Sequence, residues 1–347
     1  MGVCDMVCLI QEPKRKSWLK LRNWVYNLRR PGRQNGDLVN ITNAKFVWKF
    51  MIALGRRSLM KPVRTMGAAV CAGALVAVAL ALSTAGQPGI TLIRAHRHDP
   101  IQGHHRLTGG RNSTSTNWSG YAVTSSRGSV THVMGSWTVP PVSCTLTPNG
   151  YSSFWVGIDG DGSNTVEQIG TDSDCVNLLG TQNTPTYYAW FEFYPKGSYL
   201  IGSYNRKTGL CQSNCVSVGD LITADVSYGS GGPKGNRGSS FTVTITDKPA
   251  GGSAPWSFSI SSSVASAQQS SAEWIAEAPS SGGVLPLADF GSVTFSSGQA
   301  TIGNTTGNIG SFSNPDAINM VNSAGVVIAR TSVLDTTNAG FTITFVP

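Results

Sequence analysis

The sequence predicts an all-β fold, an antiparallel β-sandwich over residues 117–347, and three observations carry it. Several segments alternate apolar and polar residues with period two, as half-buried strands do. Gly, Ser and Asn clusters punctuate them as turns. No helical stretch is found in this region. These 231 residues suffice for one substantial core, and their low charge with abundant Gly, Ser, Thr and aromatics fits a single sandwich or barrel.

Individual strands follow from the alternation. Phe241, Val243 and Ile245 share one face of a strand, as do Trp256, Phe258 and Ile260, and Phe341, Ile343 and Phe345. Turns such as Gly229–Pro233 and Gly251–Ser253 separate them and point to sheets packed face to face. Three segments load both faces. In Tyr187–Tyr194 one face carries Tyr187, Ala189, Phe191 and Phe193, and the other Tyr188, Trp190, Glu192 and Tyr194. In Trp155–Asp159, Val156 and Ile158 oppose Trp155 and Asp159; in Glu273–Glu277, Glu273, Ile275 and Glu277 share a face. A carboxylate among large apolar residues costs free energy unless it is paired or functional. Three such segments in one domain predict an aromatic groove with carboxylates in it.

Charge divides the chain. Residues 1–116 hold 18 Lys+Arg against 4 Asp+Glu, and residues 117–347 hold 8 against 14, a net of −6. The basic and the foldable parts are different segments, so the basic pI does not point to nucleic acid. Residues 1–59 form a basic extension, which lies upstream of the true start if translation begins at Met60. From Met60, a cationic start, the apolar run Gly67–Leu82 and small residues at Ser83–Ala85 make a secretory signal peptide over 60–85, or a signal anchor that keeps the protein on a membrane if it is not cleaved. Residues 86–116 carry His96, His98, His104, His105 and four arginines. They read as a disordered linker, or as a basic pro-segment released by pH, because imidazoles titrate near 6.5 and carboxylates near 4. The expected location is extracellular and the expected state a monomer.

Cys144, Cys175, Cys211 and Cys215 follow the signal, an even number that fits two disulfides in an exported chain. Three pairings are possible; Cys211–Cys215 as a small loop with Cys144–Cys175 as a longer clamp is favoured. No metal or other cofactor is expected, since neither a paired CxxC nor HExxH is present. The folded region has one histidine, His132, and no GxSxG elbow, which excludes a Ser-His-Asp triad. What remains is chemistry by carboxylates and amides: an acid peptidase, or a glycosidase using Glu273 with Glu192 or Asp159. A non-catalytic module binding polysaccharide on the same groove is a third reading.

The segments Asn117–Ala122, Gly135–Pro140, Trp155-Val-Gly-Ile-Asp-Gly160, Val166–Asp172, Tyr188–Pro195, Gly219-Asp220 and Ala272-Glu-Trp-Ile-Ala-Glu277 occur in the order of a known family. Over residues 117–347 the chain resembles the glutamic peptidases, family G1 (eqolisins), and in particular their bacterial members. The resemblance implies a lectin-like (concanavalin A-like) sandwich and acid endopeptidase activity on polypeptide substrates. It implies a catalytic pair, Glu273 as base and Gln168 as oxyanion donor, and groove residues Trp155, Asp159, Trp190, Glu192 and Tyr194. Fungal members are secreted with a basic pro-segment. Where their motif commonly continues Glu-Asp-Phe, this chain has Glu277 followed by Ala278-Pro-Ser-Ser.

Overall fold

A computed structural model of the chain describes residues 93–106, 112–229 and 240–347. The basic extension and the signal segment lie outside the described residues. Among the described residues no helix is long and apolar enough to cross a membrane, and the only helical element is one 3-10 turn, Ile309–Ser311.

The strands form a 17-stranded sheet that folds over on itself. One half runs Ser198–Ile201, Gln182–Tyr194, Val166–Val176, Ser153–Ile158, Ser271–Glu277 and Trp118–Thr124, every neighbour antiparallel. It continues through Pro315–Val321, Val327–Thr331 and Phe341–Phe345. The other half returns through Ser292–Ile302, Val130–Thr138, Leu221–Gly229, Ser240–Lys248 and Trp256–Ser262.

The inner faces meet in the main core, which joins Val156, Ile169, Phe191 and Trp274 to Val133, Trp137, Val226, Val243 and Ile245. Two indoles bridge the halves: Trp274 Nε1 donates to the Met134 carbonyl at 2.7 Å and Trp137 Nε1 to Thr171 Oγ1 at 3.0 Å. Buried indole N–H groups need such partners. The alternation read from the sequence places the right residues inward, including Phe241, Val243, Ile245, Ala189, Phe191, Phe341 and Ile343.

Both disulfides have the favoured pairing, Cys144–Cys175 and Cys211–Cys215. The first closes a separation of 31 residues, worth about 3–4 kcal/mol by loop-closure entropy.

The N-terminal segment departs from expectation. Of the two expectations for 86–116, a disordered linker or a pro-segment, the packing departs from the first: the described part, 93–106, lies on the outer face of the first half. His98 is completely buried. Residues His105–Arg106 pair with Asn112–Ser115, which in turn run parallel to Pro315–Val321. The folded unit therefore begins well before residue 117. Its physical reason is a second apolar cluster on that outer face, Trp118, Trp155, Tyr188, Trp190, Leu200 and Ile275, which Ile93, Ala95 and Ile101 cover.

Candidate active site

The same outer face holds the sequence-predicted residues. Register places Glu273 opposite Gly157, Gly157 opposite Gln168, and Gln168 opposite Glu192. Directly opposed residues of antiparallel strands project to one side, so these four form one row across the sheet. Between Glu273 and Gln168 the row has no side chain, because residue 157 is glycine. A Cβ there would lie 2.8 Å from the Trp155 ring and 3.3 Å from Gln168 Cβ. Two residues further along the same strands, Trp155 and Trp190 take the same face, with Gly170 between them in register.

Glu273 is fully buried and neither carboxylate oxygen makes a well-formed hydrogen bond. Burial pushes its carboxyl well above the usual range; the Ser271 hydroxyl opposes this, and Asp159, Asp161 and Glu167 add to it. Glu277, also buried, accepts from Trp155 Nε1 at 2.8 Å. Burial raises its carboxyl too, against the pull of His98. Gln168 donates from Nε2 to the backbone carbonyl of His98 at 2.7 Å. Glu192 Oε2 accepts the His98 backbone N–H at 2.9 Å. The Trp190 ring stacks on the His98 imidazole, centroids 3.4 Å apart and planes 2° from parallel. Tyr194 lies beneath the Arg97 guanidinium, 4.9 Å from ring centroid to Cζ.

Glu273, Gln168, Trp155, Trp190, Glu192 and Tyr194 thus come together on one face. Asp159 is the exception. It takes a left-handed backbone conformation, φ 71°, and its carboxylate accepts from the backbone N–H of Gln268, Gln269 and Ser270 at 2.7–2.9 Å. A carboxylate so engaged is a brace for the turn that delivers Ser271–Glu277, where the sequence reading made it a groove residue. Asp159→Ala is expected to destabilise the fold by at least about 3 kcal/mol, by stranding those amides; a denaturant melt shifted by less than 1 kcal/mol would show that the brace is dispensable.

Sequence reasoning offered the chain's own segment as a pro-segment but did not place it on this face. It enters beside the sheet edge, where Ala95 N–H donates to the Ser198 carbonyl and Leu200 N–H to the Ile93 carbonyl. It exchanges hydrogen bonds with Ser280 through Arg97, 3.1 and 2.8 Å. Its Asp99 carbonyl accepts from Trp118 Nε1, and Ile101 N–H donates to the Gly160 carbonyl. Two imidazoles anchor it. His98 Nε2 is 3.0 Å from Ser153 Oγ and 3.5 Å from Asp172, and Nδ1 is 3.4 Å from Glu192. His104 lies 3.3 Å from both Asp161 and Asp316. Burial disfavours the charged His98 ring, but Asp172 and Glu192 overcome this and raise it to about 10. Asp161 and Asp316 raise His104 to about 9. His96, edge-on to Tyr151, goes the other way through burial. The density of histidines in 86–116 was the one signal for this in the sequence.

Known proteins share this plan. Aspergillopepsin-2 of Aspergillus niger is 32% identical over 212 residues, 55% of this chain and 66% of that protein's length, just under two thirds of it. Two crystal structures of scytalido-glutamic peptidase, one with a peptide based transition state analog and one with a transition state analog inhibitor, superpose with a TM-score of 0.50 at 22% identity. Each match covers 67% of this chain and 98% of the other, a likeness of fold. A family model described as the Peptidase A4 family matches residues 116–344, well over half of the sequence, and the chain belongs to that family.

Proposed function

We propose that the protein is an exported, acid-active endopeptidase held latent by its own N-terminal segment. The observation that carries this is the bond from the Gln168 amide to the His98 carbonyl: the chain presents an extended peptide to the sheet and Gln168 grips its carbonyl oxygen. On this reading Glu273, ionised, takes a proton from a water in the gap above Gly157. The water oxygen attacks the substrate carbonyl carbon. Gln168 donates to the developing oxyanion, a contribution of roughly 3–4 kcal/mol by analogy with other oxyanion donors. Glu273 then returns the proton to the leaving nitrogen as the C–N bond breaks. Trp190, Glu192 and Tyr194 hold the substrate backbone and side chains, and Trp155 and Glu277 support them from below.

Latency follows from the cover. The segment occupies the face, so that no substrate carbonyl can reach Gln168 while the His98 carbonyl holds it. Export is supported by the two disulfides and the signal-like run at 60–85. The Ala278-Pro-Ser-Ser continuation supports placement in the bacterial branch.

The test is cleavage of a denatured protein substrate by the exported form. Activity at pH 3–4 is expected to be absent while residues 93–106 stay attached, to appear after limited proteolysis removes them, and to resist pepstatin. Gln168→Ala should lower kcat/KM by about 10²–10³. Full activity in Gln168→Ala, or full activity with the segment still attached, would overturn the reading.

A further inference from the structure

The chain contains a single Asp-Pro dipeptide, Asp99-Pro100, and it lies in the docked segment, one residue past the carbonyl that Gln168 holds. The proline nitrogen belongs to a tertiary amide without an N–H. Once protonated it leaves readily, and the aspartate side chain beside it can reach its own carbonyl carbon through a five-membered ring. That makes Asp-Pro a weak peptide bond in acid even in an unfolded chain.

The fold adds what an unfolded chain lacks. The Asp99 carbonyl oxygen accepts from Trp118 Nε1 at 3.2 Å and from Asn117 Nδ2 at 3.3 Å; the same amide also reaches the Pro100 carbonyl at 3.3 Å. Trp118 and Asn117 are both buried. Asn117 Oδ1 is fixed in turn by the Gln102 N–H at 2.7 Å and the Ser115 hydroxyl at 3.0 Å. Two preorganised donors on one carbonyl oxygen are the arrangement that stabilises an oxyanion. The carboxylate is held as well. Its Oδ2 accepts from Ser280 Oγ at 2.5 Å and from Gln102 Nε2 at 3.2 Å, and Oδ1 makes a longer contact, 3.7 Å to Arg97 Nε. The charged groups around it are Arg97 from the same segment and Glu277 from the strand beneath.

We propose that Asp99-Pro100 is a self-cleavage site: in acid the folded domain severs this bond through the Asp99 carboxylate, without Glu273 or Gln168. An Oδ1 lone pair forms a C–O bond to the Asp99 carbonyl carbon, and Trp118 and Asn117 stabilise the oxyanion. The C–N bond to Pro100 then breaks as its nitrogen takes a proton from the solution. The five-membered cyclic anhydride left on Asp99 is opened by water to a free carboxyl terminus, and the sum is hydrolysis of one peptide bond. The cut parts His98, whose carbonyl Gln168 holds, from residues 100–106, which keep their own anchors at Gly160, Asp161 and Asp316.

The experiment holds the full chain carrying Glu273→Gln at about pH 3, below the ordinary carboxylate range, and reads fragments by intact mass. The expected product is a C-terminal fragment beginning at Pro100, formed as fast as from wild type and at least about tenfold faster than from the same chain unfolded in guanidinium at that pH. Trp118→Phe keeps a ring and loses the N–H, and should slow the cut by about tenfold or more. Asp99→Glu, which would need a six-membered ring, should slow it too. An intact folded chain, a rate no faster than in the unfolded chain, or a cut at another bond overturns the proposal. A fragment beginning at Asp99 that vanishes in Glu273→Gln would be the work of the peptidase: it would support that reading and, with no Pro100 fragment beside it, sink this one. The comparison of folded with unfolded chain needs no change at 99 or 118, so it stands even if those variants fail to fold.

Discussion

Glu273→Gln yields a folded chain with kcat/KM for peptide cleavage at least about 10³-fold below wild type, within the range for loss of a general base. The same substitution raises stability, and the two effects together identify the residue's role. Glu273 lies buried with its carboxyl pushed well above the usual range, chiefly by burial. The folded state therefore binds a proton that the unfolded state has already released. Stability from such a group is complete below the unfolded value, near 4.3, and is lost as pH rises toward the folded one, about 1.4 kcal/mol for each pH unit in between. Glutamine has the same shape and nothing to ionise. At pH 3–4 the variant and wild type should melt together; toward pH 8 the variant should melt higher by a margin that grows with pH. Near-unchanged cleavage by Glu273→Gln would remove the glutamate from the mechanism. Lost cleavage without the pH-dependent gain would mean that the carboxyl is not held as the buried site requires.

The second large effect is alkaline melting of the whole chain. His98 is raised to about 10 and His104 to about 9. A raised imidazole contributes stability that is complete below its unfolded value of 6.5 and vanishes as pH passes the folded value. Glu273, Glu277 and Asp174, all raised by burial, act in the same direction. The groups around the two imidazoles are Asp172, Glu192, Glu277, Asp174 and His96 for His98, and Asp161 and Asp316 for His104. The sum between pH 5 and pH 9 is several kcal/mol. At 2–4 °C per kcal/mol for a domain of this size, the melting temperature should fall by at least about 10 °C. His98→Gln should flatten part of that slope. A melting temperature that is constant or rises over this interval would contradict the charged-imidazole anchors.

Low charge alone predicts a domain that tolerates acid because it has few ion pairs to lose. The structure gives a stronger reason: several carboxyls are buried where only the protonated form is comfortable. Period-two alternation is a local property, so it could place Trp190 and Glu192 on one face and put Glu273 on a loaded strand. The row that joins Glu273 to Gln168 is set by three successive strand registers, and register depends on partners far away in sequence. Only the family resemblance singled out Gln168. The bracing bonds of Asp159 were not legible, because alternation reports which face a residue takes and says nothing of the turn at Gln268–Ser270 that it holds. Asp172 and His98 were missed for a related reason. They meet across 74 positions of sequence, and the apolar residues that dock the segment, Ile93, Ala95 and Ile101, are too sparse to show a period.

The docked segment also has a mechanical role at the margin of the sandwich. Residues 93–95 hydrogen-bond to Ser198–Ile201, which is the last strand of its half. Any cut that frees the segment strips that margin and leaves a row of unsatisfied amides and carbonyls. An open margin of this kind accepts extended chains by strand addition and also self-associates. Release of the segment would then supply a rail along which a substrate backbone can align, and it would leave the released domain more prone to aggregate when no substrate is present.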